Sequence, residues 1–313
     1  MTWYYIAILT LLAGFVFMKM PQKTILRIIV WAVPLLDIIG GYLCITDSRP
    51  WYNMMVYIFL LFLGMKTVTV VYRYSGKGRL NFLQWLAFSL GWPGMDPLPF
   101  EQLGKGKRIK SAALVTSGLI SFTTGAILLL LLACLLKYHV FHDYVICLFS
   151  FIPIVMVFHA GLFNIGAAVW GLMGVQLSPL MDAPWKSDSV GSFWGRRWNI
   201  AFIQMTRITL FIPLARRGRP RLALILSFFI SGIFHEVALS LPVGSGYGLP
   251  MLYFILQSIF VLAERKFIHK FSPTMCKTWT FMCLLLPFPL LLHAAFINGV
   301  MLPFVKFLSM WIK

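Results

Sequence analysis

Long apolar runs, broken by short polar connectors, repeat along almost the entire chain. A helix needs about 20 predominantly apolar residues to cross the hydrocarbon core of a bilayer. The runs at 3–18, 25–46, 53–72, 111–136, 144–174, 221–242, 248–263 and 278–296 approach or exceed that length, and a ninth at 299–312 closes the chain. The pattern predicts an all-α integral membrane protein, a polytopic bundle of eight or nine transmembrane helices in a single domain over residues 1–313. Two connectors are longer than a turn requires. Residues 81–90 form a short amphipathic stretch ended by Gly91-Trp92-Pro93-Gly94, and 179–220 interleaves Phe193, Trp194, Trp198, Phe202, Ile203 and Ile208 with arginines. Aromatic rings mixed with basic heads suit a helix that lies in the headgroup layer or dips inward.

The connectors sort by charge. The first carries Lys19 and Lys23, the third Arg73, Lys77, Arg79, Lys105, Lys107, Arg108 and Lys110, and the seventh Arg265, Lys266, Lys270 and Lys277. The fifth, with Lys186, Arg196, Arg197, Arg207, Arg216, Arg217, Arg219 and Arg221, is the most basic. Between them, the second has Asp47 and Arg49, the fourth Lys137 and Asp143, and 242–250 no charge at all. Basic residues collect in cytoplasmic loops, so the odd connectors are expected in the cytoplasm, as an amphipathic cytoplasmic side, and the N-terminus opposite.

Composition agrees with that reading. Hydrophobic residues make up 60% of the chain and charged residues 12%, about half the charge a soluble domain carries. Lys and Arg number 27 against 9 Asp and Glu, a net charge of +18 that in a soluble chain would suggest nucleic acid. Here the excess lies in alternate connectors and reads as topology, with membrane lipids and no nucleic acid as partners. A secreted disulfide scaffold, a nucleotide-binding α/β enzyme and a DNA-binding module are excluded. Cys44, Cys134, Cys147, Cys276 and Cys283 read as small hydrophobes. The localisation implied is a multi-pass membrane protein, of the endoplasmic reticulum in a eukaryote or the inner membrane in a bacterium.

Polar residues inside apolar runs need a reason, because a charge near the bilayer centre costs at least about 2.5–3.5 kcal/mol. Asp37 and Lys66 lie in consecutive runs, at depths that a lysine stem can reconcile, and are expected to pair. The sixth run contains Ser231, Gly232 and His235 on one helical face, about 21 Å from its basic end at Arg221. That face can hold and orient an imidazole; a histidine that only joins helices would look the same. Other motifs fail. His235-Glu236 starts an H-E-x-x-H zinc pattern, but position 239 is Leu, so no metal is expected. His139 and Asp143 have an H-x-x-x-D spacing without the following Gly, and Gly104-Lys105-Gly106-Lys107 is too short for a phosphate-binding loop. Gly244-Ser245-Gly246-Tyr247-Gly248 reads as a flexible outer turn.

Ser192-Phe193-Trp194-Gly195-Arg196-Arg197-Trp198-Asn199, followed 36 residues later by His235-Glu236 in an apolar run, resembles the paired signature of the wax synthase branch of membrane-bound O-acyltransferases. The resemblance covers about 184–253. It implies a helical bundle around a chamber where cytosolic acyl-CoA, a co-substrate rather than a cofactor, meets a lipid alcohol. It implies His235 as catalytic base and Asn199 as its catalytic companion, either a donor to the oxyanion or an orienter of the imidazole. Arg196 and Arg197 are then expected to bind the acyl-CoA phosphates, and Trp194 and Trp198 to line the substrate path. A long-chain alcohol is the acceptor implied first, with a sterol or another hydroxylated molecule as the alternative. A transporter or lipid-binding protein is the competing class, but beyond Asp37 and Glu236 the apolar runs offer few carboxylates for an ion path.

Overall fold

A computed structural model describes residues 3–21, 24–45, 47–74 and 78–312; Lys23 and Lys77, named above, lie outside the described residues. The described residues form helices and connectors only. The first group is α1 (Trp3–Lys19), α2 (Thr24–Ile29), α3 (Ala32–Cys44), α4 (Pro50–Tyr74) and α5 (Phe82–Gly91). Then come α6 (Ala112–Lys137), α7 (Asp143–Val155) and α8 (Phe163–Leu172), the last two joined by a π-helical turn at Met156–Leu162. The fifth connector contains α9 (Val190–Ser192), α10 (Ile200–Thr206) and α11 (Ile212–Ala215), with π turns at Phe193–Arg197 and Arg207–Phe211. The remainder is α12 (Pro220–His235), α13 (Leu249–Glu264), α14 (Pro273–Leu285), α15 (Phe288–Leu291), α16 (Ala294–Phe296) and α17 (Leu302–Ser309).

Six stretches are long and apolar enough to cross a membrane: Thr24–Cys44, Pro50–Tyr74, Ala112–Lys137, Asp143–Leu172, Pro220–Val243 and Pro273–Leu291. Trp3–Lys19, Leu249–Glu264 and Ala294–Ser309 are shorter apolar helices at the other expected positions. The apolar faces of the outer helices are bare, as Leu9, Ile28, Leu43, Ile127 and Leu286 show. In water such surface would be unfavourable; against lipid it is the expected exterior. This is an integral membrane protein.

α4 is the most enclosed long helix, packed by α1 and α3. Its Gly64 lies against Pro34 of α3 so closely that a Cβ would fall 2.7 Å from the Pro34 backbone. Small residues at such crossings let helices approach and gain dispersion contacts. α5 starts at a capping box, in which Asn81 and Gln84 each accept the other's backbone N–H.

The expected Asp37–Lys66 ion pair does not form. Lys66 Nζ donates to the carbonyls of Phe88, Trp92 and Gly94, at 2.9 and 2.7 Å for the first two, where α5 ends and its carbonyls lack intrahelical partners. All three ammonium hydrogens are thereby used, and the Phe88 ring covers the group at 3.6 Å. Asp37 instead accepts the hydroxyl of Thr10 on α1. The ion pair of this hairpin sits at its turn, where Arg49 Nη2 lies 2.6 Å from Asp47 and holds that carboxyl down at about 2.

Two large clusters fill the interior. One joins α1, α4, α5, the 92–100 turn and α10 through Trp85, Phe88, Trp92, Phe100, Ala201 and Met205. The other joins α6, α7, α13 and 291–305 through Ile146, Tyr253, Phe254 and Ile297. α12 lies between them: Phe234 packs on the first cluster and Phe228 on the second.

Candidate functional site

His235 ends the regular part of α12, and the chain continues into a π turn at Glu236–Ser240. Its Nδ1 lies 2.7 Å from the carbonyl oxygen of Ser231, four residues earlier. A carbonyl can only accept, so this partner assigns the proton to Nδ1 and leaves Nε2 as a bare lone pair. The ring packs on Phe254 of α13, with centroids 4.4 Å apart, and is half-buried. An imidazole held in this tautomer can accept a proton.

The residues around it come from the fifth connector. Phe193–Arg197 forms a π turn, a feature frequent at functional positions because it re-aims consecutive side chains. Trp194 donates Nε1–H to Gln257 Oε1 at 3.0 Å, and Gln257 in turn donates to the Cys283 carbonyl at 2.8 Å. The Trp194 ring meets Phe254 edge-on at 5.4 Å, so Trp194, Phe254 and His235 form a chain of touching rings. Trp198 stacks at 5.2 Å on Phe193, which in turn meets Trp194 edge-on at 5.0 Å, and Trp198 faces Phe151 at 6.3 Å.

Asn199 adopts a left-handed backbone, φ 46° and ψ 60°, which Asn tolerates better than most residues. Its Oδ1 accepts the N–H of Phe202 at 3.3 Å and caps α10. No hydrogen bond among the described residues joins Asn199 to His235, and the Asn199 amide NH2 has no partner there. The two elements meet instead through Phe202 and Phe234, centroids 6.1 Å apart. The expected inward fold of this amphipathic segment is seen: Ala201 and Met205 are buried, and Gln204 accepts the N–H of Met95 at 2.8 Å.

The two motif arginines differ. Arg196 is exposed. Arg197 reaches back to the Asp182 carbonyl at 3.1 Å and to its carboxylate at 3.7 Å, while backbone bonds Asp182 N–H to Arg197 and Ile200 N–H to Leu180 zip the same two strands of connector.

Two carboxylates that pattern reading left without a role anchor this site. Glu236 Oε1 accepts the N–H groups of Gly248 and Met251, both at 2.9 Å, and so caps α13. Glu264, at the other end of α13, accepts the N–H groups of Val190 and Gly191 at 2.8 and 2.7 Å and holds α9, which leads straight into the motif. Carboxylates are stabilising at helix N-termini for just this reason. The 244–248 turn, expected to be flexible, is tied down by Glu236 and by His293, whose ring lies where a Cβ on Gly246 would stand. Glutamates and a glutamine inside apolar runs were the available signal for Glu236, Gln257 and Glu264; His159 and His293 gave the same signal and were also passed over.

Residues 177–256 match the family model described as membrane bound O-acyl transferase family. The match is confined to that segment. It encloses the motif, Asn199, His235 and the first half of α13. Similar curated proteins include a probable long-chain-alcohol O-fatty-acyltransferase 1 of Arabidopsis thaliana, 33% identical over 81 residues, 23% of this chain and 24% of the relative. A long-chain-alcohol O-fatty-acyltransferase of Simmondsia chinensis is 32% identical over 73 residues, 21% of each chain. An acyl-CoA–sterol O-acyltransferase 1 of Arabidopsis thaliana is 33% identical over 78 residues, 23% of each chain. The chain thus spans about a quarter of the length of the curated relatives it matches. The resemblance to the wax synthase branch rests on this membrane bound O-acyl transferase segment.

Proposed function

We propose that the protein is an integral-membrane O-acyltransferase that joins the fatty acyl group of acyl-CoA to a lipid hydroxyl, with a long-chain alcohol as the acceptor. The observation that carries this reading is the fixed tautomer of His235: Nδ1–H is committed to the Ser231 carbonyl and the Nε2 lone pair is unspent. In the reaction, Nε2 removes the hydroxyl proton as the alcohol oxygen attacks the thioester carbonyl carbon. The oxyanion then collapses, the C–S bond breaks, the ester forms, and the thiolate of CoA leaves with the proton from His235. The bilayer and the aromatic surroundings exclude the bulk water that would otherwise hydrolyse the thioester.

Asn199 serves this reaction as a donor. Its Oδ1 is engaged with Phe202, its NH2 is unspent, and His235 is already oriented by Ser231, so stabilising the oxyanion is the role its bonding favours over orienting the base. Arg196, being exposed, suits the acyl-CoA phosphates. Arg197 serves as an anchor of the connector as much as a ligand for phosphate, and Trp194 serves as the wall behind Phe254. Trp198 is assigned to the tunnel lining on the Phe151 side.

Similarity to a sterol acyltransferase keeps a sterol as the second acceptor class. Purified protein in detergent or proteoliposomes, given labelled acyl-CoA and separately a long-chain alcohol, a sterol and diacylglycerol, tests both. Ester formed from the long-chain alcohol supports the reading, ester from the sterol alone moves the acceptor, and no ester from any of them rejects the reaction.

A further inference from the structure

A second histidine lies inside the membrane-spanning stretch Asp143–Leu172, outside the matched segment 177–256. His159 occupies the centre of the π turn Met156–Leu162, just after Pro153, which lacks the N–H that a regular helix would use there. Its ring meets Phe163 edge-on at 5.1 Å, and Phe163 packs on Trp92 at 6.5 Å. That places His159 on the interior face of its helix. Phe163, Phe202 and Phe234 all pack on one cluster, and Phe234 is the residue before His235.

The bonding of this ring is the reverse of that at His235. Nδ1 of His159 is enclosed and has no partner among the described residues. Nε2 is neither bonded nor enclosed, and the residue is half-buried. Placing the proton on Nδ1 would bury an unpaired donor in a region without water, where backbone and side-chain polar groups are most costly to leave unmade. Nδ1 is unpaired in either tautomer, but a proton on Nε2 puts the N–H on the nitrogen that a partner can reach, so His159 carries an accessible donor at the middle of its span. A donor there calls for an oxygen acceptor in the molecule that occupies the interior.

We infer that His159 is a substrate-binding residue whose Nε2–H holds the oxygen of the lipid acceptor before transfer, while His235 supplies the base. The inference rests on the proposed acyl transfer. It makes the two histidines complementary: one tautomer donates to the alcohol oxygen during binding, the other accepts its proton during attack. Phe163 fixes the His159 ring and contributes no hydrogen bond.

The test is steady-state kinetics on wild type, His159→Leu and His159→Gln with acyl-CoA and a long-chain alcohol, alongside the folded amount of each protein in detergent. Leu removes the donor, while the Gln amide can restore it. The expected result is a KM for the alcohol at least tenfold higher in His159→Leu, a smaller rise in His159→Gln, and an unchanged KM for acyl-CoA in both. A dialkyl ether, which accepts a hydrogen bond but cannot be acylated, should inhibit wild type better than an alkane of the same length, and His159→Leu should lose that preference. An unchanged alcohol KM in His159→Leu, or equal rises in both KM values in both variants, overturns the assignment while leaving the transfer reaction in place. Absence of ester from wild type with any alcohol or sterol overturns the reaction itself, and this inference with it.

Discussion

Lys66 lies inside α4 and His235 ends the regular part of α12, and both bring nitrogen into the apolar interior. Lys66 is fully enclosed, and its three hydrogens meet three carbonyls at the end of α5. His235 spends one nitrogen on Ser231 and keeps the other. A buried polar group whose valences are all used holds the fold together, because nothing remains with which to meet a substrate. A buried group with an unused lone pair is unfavourable for the fold alone, and the proposed reaction would supply a reason for it. Lys66 thus marks a joint between α4 and α5, and His235 marks a candidate site between two core clusters.

Removing the lone pair should have the largest effect. His235→Gln keeps a polar side chain of similar reach but no base, and transfer is expected to fall by about 10²–10⁴-fold with the amount of folded protein unchanged. A radiolabelled ester assay on purified protein measures this, and activity within a few fold of wild type would erase the contrast with Lys66. Next comes Asn199→Gly, which keeps the left-handed backbone available but deletes the amide. Loss of an oxyanion donor predicts a kcat lower by about 10²–10³-fold. A defect confined to thermal stability would instead make Asn199 only a cap.

Lys66→Met sharpens the other side of the comparison. It leaves three carbonyls unpaired in the membrane interior, at about 1–3 kcal/mol for each unsatisfied group. The expected outcome is a large fall in folded protein on size-exclusion chromatography, with unchanged KM values in the fraction that folds. Separating the motif arginines has a smaller effect. Arg196→Gln should raise the KM for acyl-CoA more than that for the alcohol, whereas Arg197→Gln should lower the melting temperature, since its partners are Asp182 and Ala183. The smallest effect is expected for Glu236→Gln. One oxygen of Glu236 accepts both N–H groups and the other has no partner, so the amide keeps the α13 cap, and activity should stay within a few fold. Glu236→Ala, which loses the cap, should be distinctly less stable in the same melting assay.

Much of this molecule was legible in its pattern of residues. The apolar runs at 53–72 and 111–136 became α4 and α6 with ends shifted by a few residues, and the basic, aromatic connector folded inward as α10. The motif and His235 were legible because they combine rare residue types at fixed spacing. Legibility failed where a polar side chain had a choice of partners. Asp37 and Lys66 looked complementary by depth, yet the C-terminal end of α5 offered Lys66 three carbonyls that no feature of residues 37–66 announces.

The sequence by itself determined the apolar runs, the exclusion of a soluble fold and which residues are candidates for the site, because hydropathy and motif spacing are properties of contiguous chain. Only the tertiary structure decided how those residues are used. Lys66 bonds across 22 to 28 residues, Trp194 across 63 and Glu264 across 73 and 74. The closures at Trp194 and Glu264 put the motif against α13, and α13 against the His235 ring. The helix itself, through the Ser231 carbonyl one turn back, sets the protonation of that ring. In the membrane interior no water can substitute for a missing partner, so the arrangement that satisfies the most groups wins, and the unspent atoms of Asn199, His159 and His235 are among the exceptions it leaves.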